Sequence, residues 1–204
     1  MNRPLEYAYW KSVLLAATKP AIPIVPFVPR FRESPARKLD TISAWAGIEA
    51  ILADLIQRFD IGTRNCLEFG VEFGFSTVAL SSFFDQVTGV DIFTGDEHTV
   101  NQSDIYDETV ARLAPYDNIR LIKSDYRDFI RTDSASYDLI HVDIVHTFAA
   151  TFECGLWSAN HSKCTIFHDT ESFPAVKQSV LEIARSTGKT FYNFKESFGL
   201  GILV

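Results

Sequence analysis

Carboxylates and imidazoles recur in this chain directly after short apolar runs rich in β-branched and aromatic residues. One run ends in His141-Val142-Asp143-Ile144-Val145-His146 and another in His168-Asp169-Thr170. Brought together, such side chains can hold a divalent cation or supply a general base. A single histidine at such a place is more often a structural hydrogen-bonder, but two runs with the same chemistry favour a site. Upstream, Glu68-Phe69-Gly70-Val71-Glu72-Phe73-Gly74-Phe75-Ser76-Thr77 has two glycines bracketing a tight turn into a helical stretch. Glycine lets a backbone approach a ligand closely and take angles closed to other residues. Ser76 and Thr77 fall where the free N–H groups of a helix start need partners. Such a turn also serves packing alone, so its weight comes from Glu68 at its mouth. In Thr88-Gly89-Val90-Asp91-Ile92-Phe93, Asp91, with Ile92 beside it, is placed to accept from both hydroxyls of a ribose; a polar strand end or a helix cap is the bland alternative. Ser124-Asp125-Tyr126 offers a further carboxylate, suited to the amino group of an adenine and nearly as well suited to capping a short helix.

These residues need a scaffold that gathers the ends of separate segments. Residues 65–69, 86–91, 119–123, 137–143 and 164–169 read as strands one to five. Residues 76–84, a stretch ending near Leu113, 148–157 and 175–185 read as helices, and 190–194 and 200–204 as two last strands. This alternation predicts an α/β fold with a mostly parallel sheet and helices on both faces. Ligands of such sheets gather at the carboxyl ends of the strands, which is where the chemistry-bearing residues fall. Residues 195–199 are too few for a parallel crossover, so the last strand is expected to run antiparallel. Before the first strand, Trp45, Ile48, Leu52, Leu55, Ile56 and Phe59 recur at helical steps, with Asp40 or Thr41 as the expected cap. Residues 1–39 differ from the rest. Their prolines between 20 and 35 exclude a regular helix or a central strand there. The segment reads as an arm on the domain or on a second subunit, or as a lid over a site.

The 204 residues, 47% hydrophobic and 22% charged, suit one soluble domain with a sizeable core. A net charge of −7 repels a phosphate backbone, so no nucleic-acid partner is expected; the short basic cluster of Arg30, Arg32, Arg37 and Lys38 reads as a solvated linker. The three cysteines lack metal or redox spacing and suit a reducing compartment. Cys66 and Cys164 read as small core residues. The apolar stretches 13–17 and 21–28 are interrupted by Lys19 and prolines, too short for a membrane helix and a poor secretory signal. A cytoplasmic protein without a membrane partner is expected.

Taken in order, 67–77, 90–98 with its Gly95-Asp96-Glu97-His98, 138–146, 167–170 and the ending Phe198-Gly199-Leu200-Gly201-Ile202-Leu203 resemble the small bacterial class I methyltransferases, the methyltransferase-domain group found beside glycosyltransferases. The resemblance runs from about residue 42 to the last residue. It implies a Rossmann-like, seven-stranded sheet with an antiparallel last strand, a methyltransferase domain over 40–204 preceded by the Pro-rich arm or lid 1–39, and S-adenosylmethionine as cofactor. It implies that Glu68, Gly70 and Gly74 face the methionine end of that cofactor, that Asp91 binds its ribose, and that Asp125 with Tyr126 borders its adenine. The expected cofactor-binding set is Glu68, Gly70, Gly74, Ser76, Thr77, Asp91, Ile92, Asp125, Tyr126 and Asp143. Asp143 and Asp169 match positions that hold Mg²⁺ in metal-dependent relatives. Two departures stand out: Ile144 where relatives often carry glycine, and the turn His161-Ser162-Lys163 where they often carry Pro-Gly-Gly.

The activity so implied is O-methylation of a small hydroxylated molecule, such as a sugar or glycosylated metabolite. A sulfonium methyl is already activated, so the protein chiefly aligns the reactants and lowers the pKa of the acceptor hydroxyl with a base or a metal. Two other readings stay open. A nicotinamide-dependent oxidoreductase would suit Asp91, but the G-x-G-x-x-G spacing is absent. A non-catalytic nucleoside-binding module on the same fold is the other. For the base, histidine is the usual choice. His161 falls in a turn away from the strand tips, His141 within a strand, and His98 in a loop to the side. His146 and His168 fall at the tips, and His146 is favoured. A homo-oligomer stays open.

Overall fold

A computed structural model describes residues 3–19, 21–95 and 102–204. Its strands are β1 (Ile24–Pro26), β2 (Asn65–Phe69), β3 (Gln86–Asp91), β4 (Ile119–Lys123), β5 (Tyr137–Val142), β6 (Ser162–His168), β7 (Phe191–Phe194) and β8 (Leu200–Leu203). Its helices are α1 (Arg3–Ala17), α2 (Leu52–Arg58), α3 (Phe75–Leu80), α4 (Tyr106–Leu113), α5 (Tyr126–Thr132), α6 (Phe148–His161) and α7 (Pro174–Thr187). The strands form one sheet in the order β1-β7-β8-β6-β5-β2-β3-β4. All pairings are parallel except those of β8 with β6 and β7, as the short link before the last strand demands. Among the described residues, no helix is long and apolar enough to cross a membrane.

The central strands are buried on both faces, so they read as continuous apolar runs and not as alternating ones. Alternation still sorts their side chains. Cys66, Leu139, Cys164, Ile166 and Ile202 project to one face and pack with Trp45, Ile48, Leu52, Leu55 and the α3 residues Ala79 and Leu80. Leu67, Phe69, Ile140, Val142 and Phe167 project to the other and pack with Cys154 of α6 and Val180 and Ile183 of α7.

The arm departs from expectation in three ways. It contributes an eighth strand: β1 lies parallel to β7 at the sheet edge, where Pro26 breaks no ladder. It also holds a helix, α1, upstream of the prolines and packed on α6 and α7. And its basic cluster is not a solvated linker. Arg30 bonds Asp54 (2.5 Å), Arg32 bonds Glu196 (2.7 Å) and Lys38 bonds Glu49 (2.7 Å), tying the arm to the domain.

The helix expected from Asp40 begins later. A 3-10 turn over Glu49–Ile51 leads into α2, and α2 has no side-chain cap, so neither Asp40 nor Thr41 serves as one. Gly47, at φ +100°, breaks the helical path, and its N–H donates to Glu49 Oε2 (2.6 Å). Residues 41–45 are thereby left over the carboxyl ends of the sheet. The expected turn at His161-Ser162-Lys163 is absent as well: α6 passes directly into β6, because Ser162 already pairs with Tyr137.

The tips of β2 and β5 approach so closely that only glycine fits between them. A Cβ at Gly70 (φ +88°) would lie 1.7 Å from the Asp143 carbonyl oxygen. Gly70→Ala is expected to destabilise the protein by about 3 kcal/mol or more. Gly188→Ala, at φ +74° with open space around it, should cost only about 1 kcal/mol. Denaturant unfolding of the two variants measures the difference.

Candidate active site

A cavity of about 640 Å³ lies at the carboxyl ends of β2 to β6. One bank is formed by residues 70–73 and Ser76 after β2, 91–93 after β3 and 124–127 after β4. The opposite bank is formed by 143–146 after β5, with His168 at the end of β6 and Asp169 and Phe173 after it. Residues 41–45 roof it.

Asp91 shapes the first bank. Its Oδ2 accepts from the N–H groups of Val71 (2.7 Å) and Glu72 (2.8 Å), and its Oδ1 accepts from Phe93 N–H (2.7 Å). An ionised carboxylate has about four acceptor positions, so Oδ1 keeps capacity at the cavity wall. Gly74, at φ +85°, is the N-cap of α3 and offers no side chain there. A Cβ on it would meet Leu113 Cδ1 at 2.6 Å. Ser76 and Ile92 line the cavity, whereas Gly74 and Thr77 do not. Thr77 does not serve the helix start either, because its hydroxyl donates to Glu68.

Glu68 departs from expectation for a related reason. It is 0% exposed and does not line the cavity. Both its oxygens are taken: Oε2 by the Thr77 hydroxyl, and Oε1 by Nδ1 of His141 at 2.8 Å. His141 stands beside Glu68 in the β2–β5 register. Its Nε2 accepts from the Trp45 indole N–H at 3.1 Å. An indole nitrogen can only donate, so the imidazole proton sits on Nδ1 and points at Glu68. This chain of three bonds runs behind the cavity and ends at Trp45 in its roof.

On the β4 side, Asp125 caps α5 by accepting from Arg127 N–H (2.7 Å), and still lines the cavity. The Tyr126 hydroxyl donates to Glu153 (3.0 Å), which also accepts from Arg127 Nε (3.2 Å). The tyrosine ring and Arg127 form cavity wall.

The second bank is an ionic cluster. His146 Nε2 lies 2.9 Å from Asp169 Oδ2 and 3.4 Å from Asp143 Oδ1. His168 Nδ1 lies 3.1 Å from Asp143 Oδ2, and its Nε2 lies 3.2 Å from the Ser197 carbonyl oxygen. Both ring nitrogens of His168 are thus engaged, and its side chain is 2% exposed. Asp169 takes a left-handed backbone (φ +64°) that a non-glycine residue holds only under constraint. Burial works against charge on these imidazoles, but hydrogen bonds and charge from the carboxylates prevail. They raise His146 to about 9 and raise His168 above the ordinary histidine range. Burial would likewise push the Asp143 carboxyl up, yet bonds from His146 and His168 hold it well below the usual range. The His146 ring stacks on Phe173 at 4.2 Å and 12°.

His161 is the last residue of α6, just before β6 and opposite the cavity, bonded to the Trp157 carbonyl. His98, and Asp96 and Glu97 beside it, lie outside the described residues. Reasoning along the chain missed the roof, Arg127 and Phe173. Trp45 read only as a core position of a helix, and Phe173 follows the fifth strand by a stretch with no motif of its own.

A sequence profile described as "Methyltransferase domain" matches residues 67–170, just over half of the chain. No curated protein sequence matches it. Solved structures similar to this chain include the O-methyltransferase of Bacillus cereus in complex with SAH, at 16% identity and TM-score 0.55, covering 100% of this chain and 91% of that one. The O-methyltransferase TomG of Streptomyces achromogenes, involved in tomaymycin synthesis and in complex with SAM, has 14% identity and TM-score 0.57 over 80% of this chain and 81% of that one. The N-methyltransferase NodS of Bradyrhizobium japonicum has 14% identity and TM-score 0.51 over 73% and 90%. At such identities the likeness shows the fold alone.

Glu68→Gln keeps the volume but sets an amide N–H₂ against one of two donors. It is expected to destabilise the protein by about 1–3 kcal/mol, read as a lower midpoint of denaturant unfolding.

Proposed function

The chain belongs to the methyltransferase-domain family, and from that premise we propose that it transfers the methyl group of S-adenosylmethionine to an oxygen of a small hydroxylated acceptor. One observation carries this reading: a single cavity joins the Gly70 turn and Asp91 on one bank to the imidazole–carboxylate cluster on the other. When bound, S-adenosylmethionine supplies a methyl already activated by its sulfonium, so the protein's work is alignment and proton removal. Residues 70–73 would hold the methionine portion through close backbone approach, which the absence of a Cβ at Gly70 permits. Asp91 would accept from the ribose hydroxyls. Ile92 and Tyr126 would flank the adenine, with Asp125 at its edge. Glu68 acts from behind, holding β5, α3 and the roof in place. Reducing conditions suit the buried, free cysteines, and the cytoplasm is the compartment this reading takes.

The acceptor oxygen must lose its proton as the methyl arrives, and His146 is the base in this proposal. His168 has both nitrogens committed, so its part is to orient Asp143. A magnesium ion at Asp143 and Asp169 does not fit the donor set. The donors of Asp143, His146 and Asp169 lie within 4.8 Å of one another, but Mg²⁺ demands an octahedron of oxygens. Here an imidazole already bridges the two carboxylates. No step is routed through a metal.

S-adenosylhomocysteine is expected to raise the melting temperature, since a ligand at about 100 times its Kd stabilises by about 2.7 kcal/mol. NAD and Mg²⁺ should each leave it unchanged. Asp91→Ala should remove the shift, and should itself lower the melting temperature because three amides lose their acceptor. A shift with NAD alone would replace the methyltransferase reading by an oxidoreductase.

The raised His146 pKa has a definite sign. Below about 9 the folded protein keeps the proton, so the fraction able to act as base falls about tenfold for each pH unit below that point. Turnover is therefore expected to climb with pH and level off near 9. His146→Gln should keep S-adenosylhomocysteine binding, lose turnover by about 100-fold or more and lose the slope. Steady-state rates across pH, with binding measured separately, check this.

A further inference from the structure

Resting on the methyltransferase reading, we propose that the acceptor is an uncharged, planar hydroxylated ring, a phenol by chemical class, seated against Phe173, Ile144, Val145 and Ile42 with its hydroxyl toward His146. A cofactor along the tips of β2, β3 and β4 leaves the β5–β6 bank and the roof for the acceptor. The wall there sets the apolar side chains of Ile144, Val145, Phe173 and the fully exposed Ile42 beside the ionic cluster. Much of its polar surface is engaged within the protein. Asp143 gives one oxygen to His146 and the other to His168, His168 has both nitrogens engaged, and Ser43 Oγ accepts from Trp45 N–H. A sugar brings several hydroxyls that each need a partner once taken from water, and this wall offers few. A flat ring with one hydroxyl needs a single polar contact and apolar surface for the rest. Phe173 and His146, stacked face to face, form a planar slab of the right shape.

Charge narrows the class further. Asp143 and Asp169 are paired with the imidazoles on this bank. The one Lys or Arg among the described lining residues is Arg127, across the cavity and bonded to Glu153. Glu72, Asp91 and Asp125 add negative charge to the remaining wall. Among the described lining residues, each cation that a phosphate or carboxylate on the acceptor could meet is already paired with a carboxylate.

The test uses protein saturated with S-adenosylhomocysteine and three probes: 2-naphthol, 6-hydroxy-2-naphthoate and methyl α-D-glucopyranoside. Calorimetry is expected to show 2-naphthol binding at least about tenfold more tightly than either other probe. Phe173→Ala should weaken 2-naphthol by a similar factor and leave S-adenosylhomocysteine unaffected. Ile144→Asp, which charges the same wall without touching the stack, serves should Phe173→Ala fail to fold. Transfer of labelled methyl from S-adenosylmethionine to 2-naphthol would add support. Equal or tighter binding of the glucoside or the naphthoate, or binding of none of the three, overturns the proposal. Failure of S-adenosylhomocysteine itself to bind is a separate result, and it removes the methyltransferase reading instead.

Discussion

A carboxylate with no exposed surface lies between the sheet and its helices, and the arrangement of the site depends on how it is satisfied. Glu68 meets His141 on the neighbouring strand and Thr77 on the following helix, and through His141 it reaches Trp45 in the roof. Each bond joins a different element, so one buried charge fixes β2, β5, α3 and the roof relative to one another. Buried charge is tolerated only when its partners are complete, and removing one of them is costly. That cost gives the carboxyl end of the sheet a single geometry, and it does so without placing the carboxylate in the cavity.

The two banks of the cavity depend on that geometry. Gly70 and the Asp143 carbonyl touch because β2 and β5 are adjacent, and this contact sets the bank that shapes the glycine turn against the bank that carries the imidazoles. On the first, a carboxylate organises backbone amides. On the second, two carboxylates organise two imidazoles and raise their basicity. In the proposed reaction the first bank binds and the second moves a proton.

The Pro-rich arm extends the same logic to the periphery. Its edge strand, the ion pair of Arg30 with Asp54 and the bond of Lys38 to Glu49 fix the chain that leads into the roof. The roof is thus held at both ends, by the arm before it and by Trp45 after it.

Much of the fold was legible in the sequence. β2, β3 and β4 have the expected limits, because runs of β-branched and aromatic residues bounded by turn residues are a local signal. The antiparallel ending follows from the length of one link, and the polar groups at the strand tips were visible as residues. The arm's strand and helix were not, since three residues at a sheet edge carry no periodicity.

What the sequence could not decide is which polar residues face the cavity. Glu68 and Asp91 both lie near the carboxyl end of a strand, yet Glu68 lies buried behind the site and Asp91 lines it. Nothing near Glu68 in the chain reveals this, because its partner His141 is distant in sequence and becomes a neighbour only when β5 pairs with β2. Local residue types fix strands, turns and helix faces. The order of strands in the sheet, set by the burial of both its faces at once, decides which charge meets which partner and which is left to meet a ligand.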